Sequence, residues 1–510
     1  MKLEKTKNAG KNMTFELFQN VYGIVVPFIQ RTLMIIYLGI EYAGLGGLFT
    51  SILNVLSLAE LGVGAAMIYS MYKPIAEDDE TKVLQLLNLY KKYYRIIGMV
   101  ICAIGLAITP FLKFIIKSGT CPKDLNIYIL FLMTLASTVM TYWLYAYKSS
   151  VLQAHQKDYV ATKTKLEATI IFDIFQIVFI VVFKNYYLYL ACAVVRVIAN
   201  NIIVAYRANK IFPQYKKPVG GLDKEEEKKL RRDIKDIFFN KIGLVMSDSF
   251  DAIVISTFLG LTILGQYQNY LYIWTSVITI AGIIFNATRA GIGNNLVSED
   301  RKKVYSDFKT FTFIVTWIIV VVIVGFSNLF QPFIEIWVGK KNVLGYGVVI
   351  CLCVFAMLRL FNYLLTTYKS AAGIWHADRF RPITSGIVNL AFNLITVHFW
   401  GLYGVILSTV VSLIIVDIPW LIYNVFHNIF KDVSASDYIK HCLKMLLYIV
   451  VTVFVSYLVV SFIKVNGVFG VILKLFSAMI VCNVCMVLLT FKTNEFSHSI
   501  QIIRKMISKS

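Results

Sequence analysis

Tyr37-Leu38-Gly39-Ile40, followed by Gly44, returns later in the chain as Phe258-Leu259-Gly260-Leu261, followed by Gly265. The offset of 221 residues then holds without a gap, so that Asp78-Asp79 falls on Glu299-Asp300 and Lys82-Val83 on Lys303-Val304. Each match alone is cheap. A register kept from 37 to 83, at equivalent points of two helical hairpins, reads as an internal duplication.

The sequence around the repeat is apolar. Of 510 residues 58% are hydrophobic and 15% charged, with a mean hydropathy of +0.69, whereas soluble chains run nearer half apolar and a quarter charged. Only 209–236 is a clearly polar internal stretch. A soluble enzyme, a disordered chain and a disulfide-stapled secreted domain are thereby excluded. A hydrocarbon core about 30 Å thick needs roughly 20 mostly apolar residues per helix. On that basis fourteen spans are expected, at 14–37, 46–72, 95–117, 126–147, 166–184, 186–206, 237–260, 266–290, 310–334, 346–368, 382–399, 402–426, 442–463 and 468–491. The first is of span length and lacks a small-x-small cleavage site, so it is expected to be a span and not a signal peptide.

Orientation follows from the basic residues. With the N-terminus inside, inside segments carry 38 Lys and Arg and outside segments 7; the other five, Arg31, Arg196, Arg289, Arg359 and Lys474, lie within spans. One missed span would scramble that alternation, so both termini are expected in the cytoplasm. The same asymmetry accounts for the net charge of +21, which in a soluble chain would suggest nucleic acid. No basic run interleaved with aromatics and no recognition motif supports a nucleic-acid partner.

The repeat pairs span 1 with span 7 and span 2 with span 8. Six spans separate them, an even number, so the halves share one orientation, a transporter plan with the substrate site expected between two lobes. The expected fold is all-α and membrane-integral. Residues 1–208 form an N-lobe of spans 1–6, 209–236 a charged cytoplasmic linker and 237–430 a C-lobe of spans 7–12. Spans 13 and 14 occupy 431–491 and a cytoplasmic tail 492–510. Within the linker, 223–229 reads as a solvated helix, with opposite charges at i,i+4.

Charges inside spans face a cavity or a partner, because each costs about 2.5–3.5 kcal/mol at mid-bilayer on insertion scales. Arg31 stands near the middle of span 1, where the repeat sets Gln30 and Arg31 opposite Asp251 and Ala252; Asp248 shares a helix face with Asp251. Arg31, Arg289 and Arg359 are the candidate substrate-cavity residues, since an Arg fork matches a phosphate or carboxylate. Asp248 and Asp251 are candidates for ion coupling or for ion pairs with those arginines. Arg196, Asp173 and Asp417 read as structural, and Glu60 as a packing or capping residue beside small residues.

Other chemistry has no carrier. There is no phosphate-binding Gly-rich loop, no His-Glu-x-x-His, and the six histidines form no ligand cluster, so neither cofactor nor metal is expected. Cys482-Asn483-Val484-Cys485 lies mid-span without His or carboxylate partners and reads as small core residues. The longest outside segment is about 17 residues, too short for a catalytic domain such as a glycan polymerase would carry.

At the first hairpin, Tyr37-Leu38-Gly39-x-Glu41-Tyr42-x-Gly44-Leu45, Leu58-Ala59-Glu60-Leu61-Gly62-Val63-Gly64-Ala65-Ala66 and Tyr72-Lys73-Pro74 resemble Wzx-like polysaccharide-unit flippases. These belong to the multidrug/oligosaccharidyl-lipid/polysaccharide (MOP) exporter superfamily. Gly401-Leu402-Tyr403-Gly404 resembles the same family's late repeat. By motif the resemblance covers about 40–85 and 400–412. It implies a MATE-like transporter fold in a bacterial plasma membrane. It also implies an undecaprenyl-diphosphate-linked oligosaccharide as substrate, turned from inner to outer leaflet by alternating access for surface polysaccharide such as O-antigen or capsule. Glycosyltransferases and a polymerase of that pathway would be its partners. The Asp-Ala-Phe and Pro-Asn pattern of peptidoglycan-precursor flippases is absent, which argues against that branch. A drug/cation antiporter of the same superfamily would need Asp248 and Asp251 as a cation site; a membrane-embedded glycan polymerase or acyltransferase would need an intramembrane His or a large outer loop.

Overall fold

In a computed structural model the backbone of residues 5–60, 62–465 and 467–507 is described. Side chains are described for most of these residues, those of 239–241 and 246–248 being among the exceptions. The described residues form helices, turns and loops without a strand. The chain divides into two compact units, Met1–Gly265 and Gln266–Ser510.

The first unit holds α1 (Lys5–Tyr37), α2 (Ile40–Leu56), α3 (Val63–Ala76), α4 (Glu80–Ile108), the short α5 (Leu112–Ile115) and α6 (Ile127–Trp143). It continues with α7 (Lys148–Ala154), α8 (Asp158–Val181), α9 (Tyr186–Ile211), α10 (Lys224–Phe258) and the first turn of α11 (Leu261–Ser298). The second holds the rest of α11, then α12 (Arg301–Val338), α13 (Tyr346–Ala371), α14 (Arg381–Trp400), α15 (Leu402–Ser412) and α16 (Ile418–Asn428). A π-helical turn, Leu413–Asp417, joins the last two, and α17 (Ala435–Ser461), α18 (Gly467–Thr490) and α19 (Asn494–Ile507) follow. Among the described residues nine helices are long and apolar enough to cross a membrane, ten if the bent pair α6 and α7 counts as one span.

Turn chemistry sets the helix ends, and it repeats. Gly39 and Gly260, equivalent in the duplication, both have positive φ, 132° and 101°, where a side chain would be strained. Asp79 caps α4 by accepting from the Lys82 N–H, and its equivalent Asp300 caps α12 by accepting from the Lys302 N–H. The duplication is thus legible in backbone and caps as well as in sequence.

Three departures from the expected spans have local causes. Span 2 is not one helix: α2 stops at Leu56, Ser57–Glu60 make a 3-10 turn, and α3 restarts after Gly62, whose φ is +93°. Span 4 ends in a 54° bend between α6 and α7, at Tyr145 with φ +57°. The charged stretch 223–229 is no separate linker helix, because α10 runs unbroken from Lys224 to Phe258. It is tied to α4, where Lys82 pairs with Glu226 and Tyr93 donates to Glu227 at 3.4 Å, and just ahead of it Asn88 Nδ2 donates to Gly220 O at 2.8 Å; within α10 Arg231 also pairs with Glu227.

Beside the bend, buried Lys148 donates from Nζ to Tyr215 O and Lys216 O, at 2.5 and 3.0 Å. His155 sets Nδ1 at 2.8 Å from Val151 O and packs against Phe212, the rings tilted by 37° with centroids 4.2 Å apart. Burial, with Lys157 as a lesser cause, holds the imidazole below its ordinary pKa. The unfolded chain therefore binds the proton first, below about pH 6.5. The His155 contribution to stability is full above that pH and is lost as pH falls through the lowered folded-state pKa. The melting temperature of the detergent-solubilised protein is expected to fall from about pH 7.5 to about pH 5, and His155→Phe to reduce that fall. An equally steep profile in the variant would assign the pH dependence elsewhere.

Candidate functional site

In the first unit, polar side chains from three helices meet on one carboxylate. Asp173 of α8, 4% exposed, accepts from Arg196 Nη1 of α9 at 2.7 Å and from Gln30 Nε2 of α1 at 3.1 Å on Oδ1. Its Oδ2 accepts from Tyr22 of α1 at 2.8 Å. Tyr22 and Gln30 lie two turns apart on one face of α1, which is why one carboxylate reaches both. Gln176, also buried, lies 3.3 Å from Gln30 and donates to Tyr189 O at 3.1 Å. Three charge-assisted or neutral donors on a buried carboxylate satisfy it, as burial demands. Arg196 and Asp173 are thus an ion pair within one unit.

Gln30 is fixed by this node, and Arg31 follows it on α1. The Arg31 guanidinium is half-buried and donates from Nη2 to Gly265 O at 3.0 Å. Gly265 itself sits in a reciprocal contact. A Cβ on Gly44 would overlap the Leu261 carbonyl oxygen, and one on Gly265 would overlap the Ile40 carbonyl oxygen. Leu261 is the repeat equivalent of Ile40 and Gly265 that of Gly44, so the contact has the i-to-j, j-to-i form of a local two-fold axis. Glu41 and its own equivalent Thr262 complete it with a 3.1 Å hydrogen bond.

Asp251 is buried on α10, within the same unit as Arg31. Asp248 lies on α10 too, and its side chain is outside the described residues.

In the second unit Arg289 is exposed on α11 and donates from Nη2 to Asn286 Oδ1 at 3.1 Å. Arg359 of α13 is half-buried, its guanidinium 5.8 Å from the Tyr363 ring centre. That ring stacks on Phe285, one turn before Arg289, at 5.9 Å. The two arginines therefore belong to helices packed through one aromatic pair.

The same unit buries a four-charge cluster. Asp378 accepts from Lys369 Nζ at 2.9 Å, from Arg381 Nε at 2.7 Å and from Arg381 Nη2 at 3.1 Å. Arg381 Nη1 and Ser385 both donate to Asp417, which the π-helical turn swings toward them. Lys369 is 3% and Asp378 1% exposed, and Lys369 also lies 4.4 Å from the Trp375 ring centre. Two cations and two anions cancel. Sequence reasoning counted Lys369 and Arg381 among basic loop residues and missed Asp378; the i,i+3 spacing of Asp378 and Arg381 was the available signal. It likewise missed Tyr22, Gln30 and Gln176 as partners of Asp173. Among the described residues no group of three His, Cys, Asp or Glu side chains could hold a metal ion, and Cys482 is buried and unbonded to a second sulfur.

No family model matches the sequence, and no curated protein matches it. Solved structures do match. "Lipid II flippase MurJ, inward closed conformation" aligns with a TM-score of 0.69 at 15% identity, over 93% of this chain and 98% of that one. An inward-facing multidrug resistance MATE family transporter of the MOP superfamily aligns with a TM-score of 0.60 at 17% identity, over 78% of this chain and 93% of that one. At these identities the likeness is one of fold. The chain is an all-helical, multi-pass membrane protein with the transporter fold that MurJ and the MATE transporter share.

Proposed function

We propose that this protein is a flippase for a lipid-linked oligosaccharide, turning an undecaprenyl-diphosphate-linked repeat unit across a bacterial plasma membrane by alternating access. The observation that carries the reading is the fold match, over nearly the whole of both chains, to a structure whose name is that of a lipid flippase. The motifs at 37–74 and 401–404 favour the Wzx-like branch that serves surface polysaccharide. In this reading the chain crosses the membrane fourteen times with both ends in the cytoplasm. Lobes at 1–208 and 237–430 flank the 209–236 segment, and glycosyltransferases and a polymerase of the pathway are its neighbours.

Arg31, Arg289 and Arg359 bind the diphosphate or acidic sugars, while Asp248 and Asp251 balance that charge or take a coupling ion. A charge-assisted hydrogen bond is worth about 1.5–3 kcal/mol. Arg31→Ala or Arg359→Ala is therefore expected to lower transport roughly ten- to a hundred-fold at unchanged protein level. Normal transport by both variants would remove them from the site.

Deleting the gene and analysing lipid-linked sugars tests the function itself. A complete oligosaccharide-diphospholipid stranded on the cytoplasmic leaflet, with surface glycan lost, is the expected result. Unchanged lipid-linked pools with increased drug sensitivity would instead establish the antiporter reading, which the MATE fold match and the buried Asp251 favour.

A further inference from the structure

The π-helical turn Leu413–Asp417 opens a cleft on the second unit that the reading above does not use. Pro419, in the first turn of α16, has no N–H to give to the carbonyl four residues back. The helix winds wider just ahead of it, and π turns of this kind recur at functional sites. Asp417 swings inward to Arg381, while Ile415, Val416 and Pro419 line a cleft of about 630 Å³ against Ala377 and Thr384. That is the size of a ligand pocket.

The two ends of the cleft differ in chemistry. One, at Ile415, Val416 and Pro419, is apolar; the other, at Thr384, Tyr423 and Asn424, carries hydroxyl and amide groups. The polar end lies near the start of α14 and the end of α16. Trp420 Nε1 donates to Ala377 O at 3.1 Å and so holds the 372–380 loop across it. Trp375 and Phe380 of that loop are exposed, as is Tyr423, an aromatic set of the kind that sits at the level of lipid headgroups. Farther along, Ile387 and Ile395 of α14 and Ile415 are exposed as well, and in a membrane-spanning unit such side chains stand in hydrocarbon. The cleft therefore runs from headgroup level into the acyl layer.

Charge narrows the occupant. From Lys369 to Lys431 the chain has two carboxylates, Asp378 and Asp417, and both are buried against Arg381. The exposed charge of this hairpin is thus basic. Arg379, half-buried two residues after Ala377, sets its guanidinium 4.6 Å from the Phe380 ring centre and its Nη1 3.4 Å from His376 Nδ1. His427 stacks on Tyr423 with ring centres 5.3 Å apart. A guanidinium fork beside hydroxyl, amide and imidazole groups fits a phosphate diester. We propose that the cleft is a site for one membrane phospholipid with an anionic headgroup, an acyl chain lying along Ile415, Val416 and Pro419 and the phosphate toward Arg379. The site does not depend on what the protein transports.

Photolabelling of the purified full-length protein in detergent tests this, with phosphatidylglycerol carrying a diazirine on one acyl chain as the probe. Peptide mapping is expected to place label on 415–419. Unlabelled phosphatidylglycerol should compete about ten-fold better than phosphatidylcholine of the same chains, the ratio that one charge-assisted hydrogen bond supplies. Arg379→Gln should bring the two lipids to the same level. Ile415→Trp, at an exposed position, fills the apolar end and should remove the label there.

If Ile415→Trp does not fold, the wild-type map and Arg379→Gln decide. Label spread along the helices without enrichment at 415–419, equal competition by the two lipids, or an undiminished preference in folded Arg379→Gln overturns the proposal. So does displacement of the probe by an equimolar polyprenyl diphosphate that excess phosphatidylglycerol does not reverse, which would give the cleft to a transported lipid. Failure of the flippase reading shows separately, as unchanged lipid-linked pools on gene deletion, and leaves the phospholipid site standing.

Discussion

Asp378→Ala is expected to destabilise the second unit by about 3–5 kcal/mol, the cost of stranding buried charge. The carboxylate takes three of its hydrogen bonds from Lys369 and Arg381, and none of these groups has water to turn to. Removing Asp378 leaves two cations against Asp417 alone. Removing Lys369 as well restores neutrality, because Arg381 and Asp417 still pair. Lys369→Met with Asp378→Ala should therefore be more stable than Asp378→Ala alone, although it carries one more substitution. Thermal unfolding of the purified protein, followed by size-exclusion chromatography, measures both. A melting temperature unmoved by Asp378→Ala would mean that the cluster is wetter than its burial indicates.

The second large effect is expected at two glycines, and its sign is diagnostic. On an open helix face Ala is better than Gly by up to about 1 kcal/mol. Gly23 in α1 has nothing within 4 Å of a built Cβ, so Gly23→Ala should stabilise or be neutral. At Gly44 and Gly265 a Cβ would overlap a backbone carbonyl, which cannot rotate aside as a side chain can. Overpacking of that kind costs about 1–3 kcal/mol or more, so Gly44→Ala and Gly265→Ala should destabilise, and Val at either position further. Because the contact is reciprocal, the two Ala variants should lose similar amounts. Ala variants as stable as Gly23→Ala would show that α2 and the start of α11 do not touch as described.

Much of the architecture was readable from hydropathy because a helix buried in lipid needs an uninterrupted apolar run, whatever its neighbours. Among the described residues nine helices, or ten with the bent pair, are long and apolar enough to cross a membrane, and the second expected span is two helices separated by a 3-10 turn. Interruptions were harder to read. Gly62 looks like any small residue in a helix-packing motif until its φ of +93° is seen, and the bend at Tyr145 has no glycine or proline to mark it. Charge counting treated Lys369 and Arg381 as solvated because sequence does not say which loop folds back on itself. The pairing of Asp173 with Arg196 joins residues 23 positions apart on successive helices, and helical periodicity alone does not fix which faces of two helices meet. Arg31 stood out because a lone guanidinium in an apolar run is costly anywhere; its hydrogen bond to Gly265, 234 residues away, could come only from the fold.

The continuity of α10 makes the charged segment a handle on the buried one. At 1.5 Å per residue its 35 residues extend about 52 Å, some 20 Å beyond a hydrocarbon core about 30 Å thick. A rigid rod reports its tilt wherever it is gripped. A spin label or fluorophore on Lys228, out in solvent, would follow the angular movement of Asp251 within the bundle without disturbing any residue near it. Peptide insertions should be tolerated at 221–222, between the Gly220 contact and the start of the rod. The same insertion after Arg232 would turn the shaft out of phase with its own tip.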